Sequence, residues 1–313
     1  MAEAAPFYSD IAFGPKGGAA HWLHASDGVR IRVGHWPLAG AKGTVLIFPG
    51  RTEFIEKYGM TAQTLQDAGY ASLAIDWRGQ GIADRFLDDR MIGHVGNFAD
   101  YQLDVEATVA HAEALGLPRP YYLLAHSMGG CIGLRALYNG LDVNAVMFSA
   151  PMWGVVMSPI LRPGAWAMSS IAMKLGKDGI LAPGQSTESY VLREEFSKNT
   201  LTNDPEVWEN LKVQLRAQPD LGLGGPSLRW VNMSLREMLT LSRMPSPDIP
   251  CLTYLGTREA IVSPQRIKNR MAKWPNGKLR IIDNGLHEML MDEPPMRDML
   301  MEETITHFQA HSA

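Results

Sequence analysis

The stretch Tyr121-Tyr-Leu-Leu-Ala-His-Ser-Met-Gly-Gly130 is the part of the sequence that decides the fold. It begins with a short apolar run that is typical of a buried strand, passes through a turn of small residues and continues into a helical pattern up to about Tyr138. Ser127 stands at the sharp turn, where a side chain projects above the carboxyl end of a parallel sheet. Ala125 occupies a position that is usually glycine in such a turn, and its methyl group is small enough for the turn to form. The stretch therefore predicts a strand–turn–helix unit that presents Ser127 as a candidate nucleophile.

Alternating strand and helix patterns surround this unit on both sides. Short apolar runs, which are typical of buried strands, are separated by stripes of apolar residues at helical spacing. This alternation predicts a parallel sheet with helices on both faces. An antiparallel hairpin from Ala20 to Leu38, with its turn at Asp27-Gly28, is expected ahead of the parallel strands. The strands predicted after the hairpin are Thr44–Phe48, Tyr70–Ile75, Tyr121–Ala125, Val143–Phe148, Cys251–Leu255 and Lys278–Ile282.

The pattern changes between Met152 and about Met244, where only helical stripes and Pro/Gly breaks occur. A block of helices between two stretches of strand–helix alternation is typical of an insertion into one α/β sheet. We therefore predict that residues 1–151 and 245–313 are the two parts of an α/β core. Residues 152–244 are the expected helical cap or lid.

The composition is that of a globular protein. Of its 313 residues, 46% are hydrophobic and 20% are charged, which argues against intrinsic disorder. The formal net charge is −4 and no basic tract stands out, so no nucleic-acid partner is expected. The two cysteines, Cys131 and Cys251, are too few for a disulfide framework. Neither a CxxC pair nor an HExxH motif occurs, and no metal site is predicted.

No targeting segment or membrane-spanning segment is expected. The first residues, Met1-Ala-Glu-Ala-Ala-Pro, lack the basic and apolar regions of a signal peptide. The longest apolar stretch, from Ala145 to Val156, is interrupted by serine, proline and glycine and is too short to cross a bilayer. A cytoplasmic location is the expectation that follows.

A serine hydroxyl is a weak nucleophile, so Ser127 needs a base and a group that orients the base. In proteins with this strand–turn–helix unit, the chain order is serine, acid, histidine. His287 lies just past the last predicted strand, at the same edge of the sheet as Ser127. Glu259 follows the strand Cys251–Leu255 at that edge and is the preferred acid, while Asp283, on the later strand, is the alternative.

The tetrahedral intermediate of an acyl transfer needs hydrogen-bond donors for its oxyanion. The backbone N–H of Met128 is one candidate, because it lies at the positive end of the helix that follows Ser127. The loop Pro49-Gly50-Arg51-Thr52 comes directly after a buried strand, and Gly50 allows a close approach of the backbone. The N–H of Arg51 is therefore the second candidate donor.

Several segments carry a resemblance to a known family: Pro49-Gly-Arg-Thr-Glu53, Asp76-Trp-Arg-Gly-Gln-Gly81, Ala125-His-Ser-Met-Gly-Gly130, Gly256-Thr-Arg-Glu-Ala-Ile-Val262 and Gly285-Leu-His287. Together they resemble the α/β-hydrolase fold and, within it, the lysophospholipase and monoacylglycerol lipase group, often described as serine aminopeptidase-like. The resemblance implies a mostly parallel, eight-stranded sheet and a catalytic triad of Ser127, His287 and Glu259. The sequence departs from the family pattern at Pro49, where histidine is usual, at Ala125, where glycine is usual, and at Glu259, where aspartate is more usual.

The resemblance also implies a carboxylic ester hydrolase that forms an acyl-enzyme at Ser127 and needs no cofactor. Methionine and tryptophan are frequent at the start of the expected cap, and they suit an irregular apolar groove for an acyl chain. The predicted substrates are lipid esters with a single acyl chain, either monoacylglycerols or lysophospholipids. A transient contact between the cap and a membrane surface is a further expectation. The expected pocket residues are Met152, Trp153, Met157 and Trp166.

Two other functions are consistent with the same residues. A short cap pocket would favour a hydrolase of short-chain esters, lactones or amides, and the preferred length of the acyl chain would reveal it. A non-catalytic binding protein with the α/β-hydrolase fold is the alternative from another class. Such a protein would not react with a serine-directed phosphonate.

Overall fold

Nine strands form one sheet in the structure, a computed structural model that describes residues 2–158 and 160–312. Six adjacent strands of this sheet are almost completely buried along their length, and they frame the core of the protein. In chain order, the strands are β1 (Glu3–Ala5), β2 (Ala19–His24), β3 (Arg30–Trp36), β4 (Thr44–Phe48), β5 (Ala71–Asp76), β6 (Tyr121–His126), β7 (Ala145–Ser149), β8 (Cys251–Gly256) and β9 (Gly277–Ile282).

The order of the strands across the sheet is β1-β2-β3-β5-β4-β6-β7-β8-β9. The pairs from β1 to β5 in this order are antiparallel, and the pairs from β5 to β9 are parallel. From β4 the chain moves to β5 on one side and then to β6 on the other, so the winding direction reverses at β4. In sheets of this kind, ligands bind beyond the carboxyl ends of the strands at the point of reversal.

The strand register places the loops at this edge beside one another. Phe48, at the end of β4, is opposite Ala125 in β6, so the loops after these two strands begin side by side. Gly256, at the end of β8, is opposite Ile282, at the end of β9, and the loops after this pair also begin side by side. All four loops leave the same edge of the sheet.

The helices lie before, between and after the strands. The long ones pack against the sheet or form the segment between β7 and β8. They are α1 (Ser9–Ala12), α2 (Gly59–Asp67), α3 (Tyr101–Ala114), α4 (Met128–Tyr138), α5 (Leu161–Lys174), α6 (Tyr190–Arg193), α7 (Pro205–Ala217), α8 (Leu228–Arg243), α9 (Pro264–Met271) and α10 (Pro294–Gln309).

The predicted α/β fold with a mostly parallel sheet is confirmed, but the sheet has one more strand than the eight predicted. The additional strand is β1, which pairs antiparallel with β2 and places Ala5 opposite Ala20. Its sequence, Glu3-Ala-Ala5, has neither the length nor the alternation of apolar and polar residues that reveals a strand. Pairing with the predicted hairpin, not local propensity, is what makes this segment a strand.

The burial of the central strands explains why their sequences predict them. Every residue of β4, β5, β6, β7 and β8 is buried. Strands that are covered by helices on both faces are apolar along their whole length. Leu46 and Leu124 have no exposed surface, so truncating either leucine to alanine would cost about 2–5 kcal/mol of stability. The loops at the carboxyl edge are therefore held by a well-packed frame.

Between β7 and β8, the described residues form helices α5 to α8. Isolated bridges join this segment to the rest of the protein, with Gly93 opposite Pro226 and Val155 opposite Val262. Its interpretation as a cap over residues 152–244 remains a prediction. Across residues 2–158 and 160–312, no helix combines the length and the apolar character needed to cross a membrane.

Candidate active site

Ser127 lies in a strained turn between β6 and α4. Its backbone angles are φ 49° and ψ −115°, a conformation that an L-residue rarely adopts and that costs about 1–3 kcal/mol. Three backbone hydrogen bonds hold the turn. The N–H of Ser127 donates to the carbonyl of Ser149 at 3.1 Å, and the carbonyl of Ser127 accepts from Gly130 at 2.9 Å and from Met152 at 2.8 Å. The turn is therefore fixed by the end of β7, the loop that follows β7 and the start of α4.

Glycines in α4 allow this helix to approach the sheet closely. A Cβ atom on Gly129 would overlap the carbonyl oxygen of Phe48, the last residue of β4. A Cβ atom on Gly130 would lie 2.6 Å from the Cβ of Pro151, which is closer than real Cβ contacts come. The small residues after Ser127 are thus required by the neighbouring backbone, and they bring the start of α4 against the loop that follows β4.

The side chains of Ser127, His287 and Glu259 form a continuous hydrogen-bonded chain. The Oγ of Ser127 is 2.9 Å from the Nε2 of His287, and the Nδ1 of His287 is 2.7 Å from the Oε2 of Glu259. Ser127 is 8% exposed and His287 is 4% exposed, so the chain is shielded from solvent. The three residues come from the loops after β6, β9 and β8, as the strand register requires.

The carboxylate of Glu259 is buried and hydrogen-bonded on both oxygens. Its Oε1 accepts from the backbone N–H groups of Ile261, at 2.6 Å, and Val262, at 3.0 Å. Burial acts to raise the pKa of Glu259, but the hydrogen bond and charge of His287 together with the two N–H groups outweigh it and lower the pKa. An ionised Glu259 accepts the Nδ1–H of His287, which leaves Nε2 free to accept the hydroxyl proton of Ser127.

The structure brings Glu259, and not the alternative acid, to His287. The carboxylate of Asp283 is 3.4 Å from the Oγ1 of Thr257 in an exposed position. Asp248, which precedes β8, accepts a hydrogen bond of 2.7 Å from the side chain of Asn276. The structure therefore places Glu259, the preferred acid, beside His287, and its catalytic role stays a prediction.

The two backbone donors expected for an oxyanion lie on adjacent loops. Phe48 and Ala125 are paired in the sheet, so the loop with Arg51 and the turn before Met128 begin side by side. Within the described part of the chain, neither the N–H of Arg51 nor that of Met128 donates to another group. Both N–H groups therefore remain available to an oxygen atom of a ligand, and their role stays a prediction.

A buried charge network lies beside these loops. The ammonium of Lys57 is 2.7 Å from an oxygen of Glu53 and 2.7 Å from an oxygen of Glu288. The second oxygen of Glu53 accepts from the backbone N–H of Gly50 and from the hydroxyl of Tyr58. Burial alone would raise the pKa of Glu53, but Lys57 and the other neighbouring donors lower it from 4.5 to about 2. The network ties the loop after β4 to the loop after β9.

Glu53, His126 and Glu288 also form a group whose ligand atoms all lie within 4.8 Å of one another, as in a metal site. The ammonium of Lys57 lies between the two carboxylates, so it already supplies the cation that they require. The ring of His126 packs against that of His287, with 4.7 Å between the ring centres. The cluster therefore adjoins the candidate base, and Lys57 bridges its two carboxylates.

The sequence indicates Glu53 only as the last residue of a motif, and it does not identify Lys57 and Glu288 as members of the charge network. A glutamate followed four residues later by a lysine is a signal for a local ion pair. That signal gives no indication of the third member, which is 231 residues away from Lys57 in the chain.

Two of the four expected pocket residues line a cavity of about 240 Å³. These are Trp153 and Trp166, whereas Met152 is buried elsewhere and Met157 is half-exposed. The indole N–H of Trp153 donates to the carbonyl of Gly130 at 3.1 Å, which places one wall of the cavity against the start of α4. The complete lining is Trp153, Arg162, Trp166, Leu235, Met238, Leu239 and Arg266.

Comparison with protein families gives a match over most of the chain. The family model described as "Serine aminopeptidase, S33" matches residues 39–294. The probable lysophospholipase L2 of Haemophilus influenzae is 25% identical, and the alignment covers 98% of this chain and 95% of that protein. Lysophospholipase L2 of Escherichia coli strain K12 is 29% identical over 86% of this chain and 81% of its own length.

Solved structures share the fold at low sequence identity. A soluble variant of monoglyceride lipase from Saccharomyces cerevisiae, in complex with a substrate analogue, superposes with a TM-score of 0.75 and 17% identity. That alignment covers 99% of this chain and 100% of the yeast chain. A carboxyl esterase from Bacillus coagulans in complex with glycerol gives a TM-score of 0.72 with 14% identity, over 96% of this chain and 100% of the esterase.

Proposed function

The chain belongs to the serine aminopeptidase S33 family, and on that premise we propose that it is a serine hydrolase of lipid esters with a single acyl chain. The proposal rests above all on the unbroken chain of hydrogen bonds from Glu259 through His287 to Ser127. A hydroxyl at a strained turn, paired with a buried imidazole and an ionised carboxylate, is the arrangement that activates a serine nucleophile.

In the first half of the reaction, the Oγ of Ser127 attacks the ester carbonyl carbon while its proton moves to the Nε2 of His287. The carbonyl oxygen gains the electron pair, and the N–H groups of Arg51 and Met128 stabilise the resulting oxyanion. Glu259 stabilises the imidazolium, because its lowered pKa keeps it ionised. The carbon–oxygen bond to the alcohol then breaks, and the alcohol leaves with the proton from His287.

In the second half, water attacks the acyl group on Ser127 and transfers a proton to His287. The same N–H groups of Arg51 and Met128 stabilise the second oxyanion, with roughly 3 kcal/mol from each donor. Collapse of this intermediate releases the fatty acid and returns the proton to Ser127.

The assignment of lipid esters draws support from relatives and from the cavity beside Trp153. The similar proteins include lysophospholipases and a monoglyceride lipase. The cavity walls are mostly apolar side chains of α5 and α8, which suit an acyl chain. We infer that residues 152–244 form a cap that binds the acyl chain above the nucleophile.

An exposed apolar surface on the cap supports contact with a lipid phase. Met168, Ile171 and Leu175 follow one another at helical spacing on α5 and at its end, and they are 46%, 56% and 67% exposed. Ile160, just before the helix, is 87% exposed. An apolar helix face of this kind favours docking on a membrane surface, where the substrates reside.

The test is the release of fatty acid from a palmitoyl monoacylglycerol and from palmitoyl lysophosphatidylcholine. We expect Ser127→Ala to lower kcat by roughly four to six orders of magnitude. Ser242→Ala is the matched control, because Ser242 is an exposed serine of α8 whose hydroxyl donates only to its own helix. Retained activity in Ser127→Ala would overturn the assignment of the nucleophile.

A second pair of variants tests the acid. Glu259→Gln should lower kcat by roughly three to four orders of magnitude, because the amide no longer stabilises the imidazolium. Asp283→Asn should leave kcat unchanged, since Asp283 contacts Thr257 and not His287. Activity towards short esters alone would favour the short-chain alternative, and no reaction with a serine-directed phosphonate would favour a binding protein.

A further inference from the structure

The guanidinium of Arg51, a half-buried residue, is a cation that lacks an anionic partner. Its Nη2 donates to the carbonyl of Gly224 at 2.6 Å, and its Cζ lies 5.2 Å from the ring centre of Trp230. Its Nε is buried and donates to no acceptor. Among the residues that the structure describes, no carboxylate lies within ion-pair distance of it. Burial lowers the pKa of Arg51 to about 10, so the group remains charged at neutral pH.

Other buried arginines in the protein are better satisfied. Arg32 pairs with Glu56 and Asp76, and Arg78 pairs with Asp27 and Asp104. Arg85 has no carboxylate at this distance either, and its Nε is also unpaired, but its other nitrogens donate to four backbone carbonyls, against one for Arg51. Removing a charge from water without a partner costs free energy, and one hydrogen bond to a carbonyl offsets only a part of that cost. The guanidinium of Arg51 can therefore bind an anion, and the chain itself provides none.

The position of Arg51 indicates which anion fits. Its backbone N–H is the proposed oxyanion donor, so its side chain begins at the reacting carbonyl. An extended arginine side chain spans roughly 6 Å, and about six bonds, or roughly 7 Å, separate the carbonyl carbon of a lysophospholipid from its phosphorus. The cap residues Gly224 and Trp230 lie at the far end of the side chain.

We propose that the side chain of Arg51 binds the phosphate of a lysophospholipid substrate and so selects lysophospholipids over monoacylglycerols. This inference rests on the proposed function. A guanidinium forms charge-assisted hydrogen bonds to phosphate, which are about twice as strong as bonds between neutral groups. A monoacylglycerol offers only a neutral hydroxyl at the same place, so it gains less from Arg51.

The experiment compares kcat/KM for palmitoyl lysophosphatidylcholine and palmitoyl monoacylglycerol. Arg51→Met should lower the value for the lysophospholipid about 10–100-fold more than the value for the monoacylglycerol, mainly through KM. Arg51→Lys should restore part of the difference, because the charge is kept. Arg85→Met is the matched control: Arg85 also holds the cap segment, through Gly222, but lies outside the oxyanion loop, so both substrates should change in parallel.

The outcomes separate this inference from the proposed function. Cleavage of neither substrate by the wild-type protein would overturn the proposed function. Cleavage of both, with parallel losses in Arg51→Met, would show that Arg51 only anchors the cap and would overturn this inference alone. If Arg51→Met does not fold, Gly93→Ala decides, because its Cβ would lie 2.5 Å from the Nη2 of Arg51 and displace the guanidinium.

Inhibition identifies the source of the phosphate. Glycerophosphocholine should inhibit the wild-type protein and should inhibit Arg51→Met at least about 10-fold less strongly. Equal inhibition by sodium phosphate at the same concentration would assign the site to free phosphate and overturn the assignment to the lipid headgroup.

Discussion

Replacing Lys57 with methionine removes the only ammonium from the buried charge network while keeping most of the side-chain volume. In the wild-type protein, Lys57 is 2.7 Å from both Glu53 and Glu288, and all three side chains are at most 6% exposed. Without Lys57, two carboxylates face each other in a buried site. The loss of one partner from a buried pair costs more than the pair contributes, because the remaining charge has no compensation.

The size of the effect follows from the same geometry. Breaking a buried ion pair in this way costs about 3–5 kcal/mol. The pKa of Glu53 is lowered from 4.5 to about 2 because Lys57, with His126 and Tyr58, outweighs the opposing effect of burial, and this shift corresponds to about 3–4 kcal/mol at 1.4 kcal/mol per pKa unit. The stability from an ionised Glu53 is present above pH 4.5 and is lost as the pH falls through about 2. The difference between wild type and Lys57→Met should therefore be largest at pH 7 and should shrink as the pH falls.

Urea unfolding at pH 7 and at pH 3, which lies inside this window, measures both parts of this prediction. Lys198→Met is the matched control, because Lys198 makes an exposed pair with Glu195 at 3.4 Å, and its loss should change stability by less than about 0.5 kcal/mol. Adding Glu288→Gln to Lys57→Met should restore part of the stability, since it removes one unpaired charge. Equal unfolding free energies for wild type and Lys57→Met at pH 7 would refute the reasoning.

Three further predictions concern the close packing of α4, the pH dependence of stability and the cap surface. Gly129→Ala should abolish ester hydrolysis and labelling by a phosphonate, because its Cβ would overlap the backbone at the end of β4. Burial, assisted by neighbouring histidines, lowers the pKa values of His35 and His111 from 6.5 to about 4. The free energy of unfolding should therefore fall as the pH drops from 6.5 to 4, by about 1–3 kcal/mol after allowance for screening by solvent. The His35→Gln/His111→Gln variant should show a flatter pH dependence of the urea midpoint. Leu175→Glu should reduce sedimentation with phospholipid vesicles, while Val213→Glu, at a similarly exposed apolar position on α7, should not.

The strands and the sharp turn at Ser127 could be predicted because their signals are local. The run from Tyr121 to Ala125 is buried on both faces, so its apolar residues are continuous in the sequence. The turn at Ser127 needs small residues next to it for steric reasons, and those residues are visible without a structure. His287 could be placed from its position after the last strand, because parallel strands end at one edge of the sheet.

The sequence does not determine features that depend on contacts between distant parts of the chain. The sequence favours Glu259 over Asp283 but leaves both open, because both follow strands at the correct edge, and the packing of their loops shows that Glu259 contacts His287. Strand β1 exists because it pairs with β2, and three residues carry no pattern of their own. Methionine is frequent at the start of the segment between β7 and β8, but this frequency does not indicate which side chains face the cavity. Met152, for example, packs in the core.

We propose two separate roles for Arg51. Its backbone N–H is the proposed donor to the oxyanion, and every carboxylic ester presents the same carbonyl oxygen to such a donor. Its side chain extends towards Gly224 and Trp230 in the segment between β7 and β8. We place the leaving group there, and it is the part in which the substrates differ. A side-chain substitution leaves the N–H in place, so changes at Arg51 should alter the choice of substrate more than the rate of the chemical step. On these two proposals, the chemical step depends on the backbone at the sheet edge, and the choice of substrate depends on the side chains that project from it.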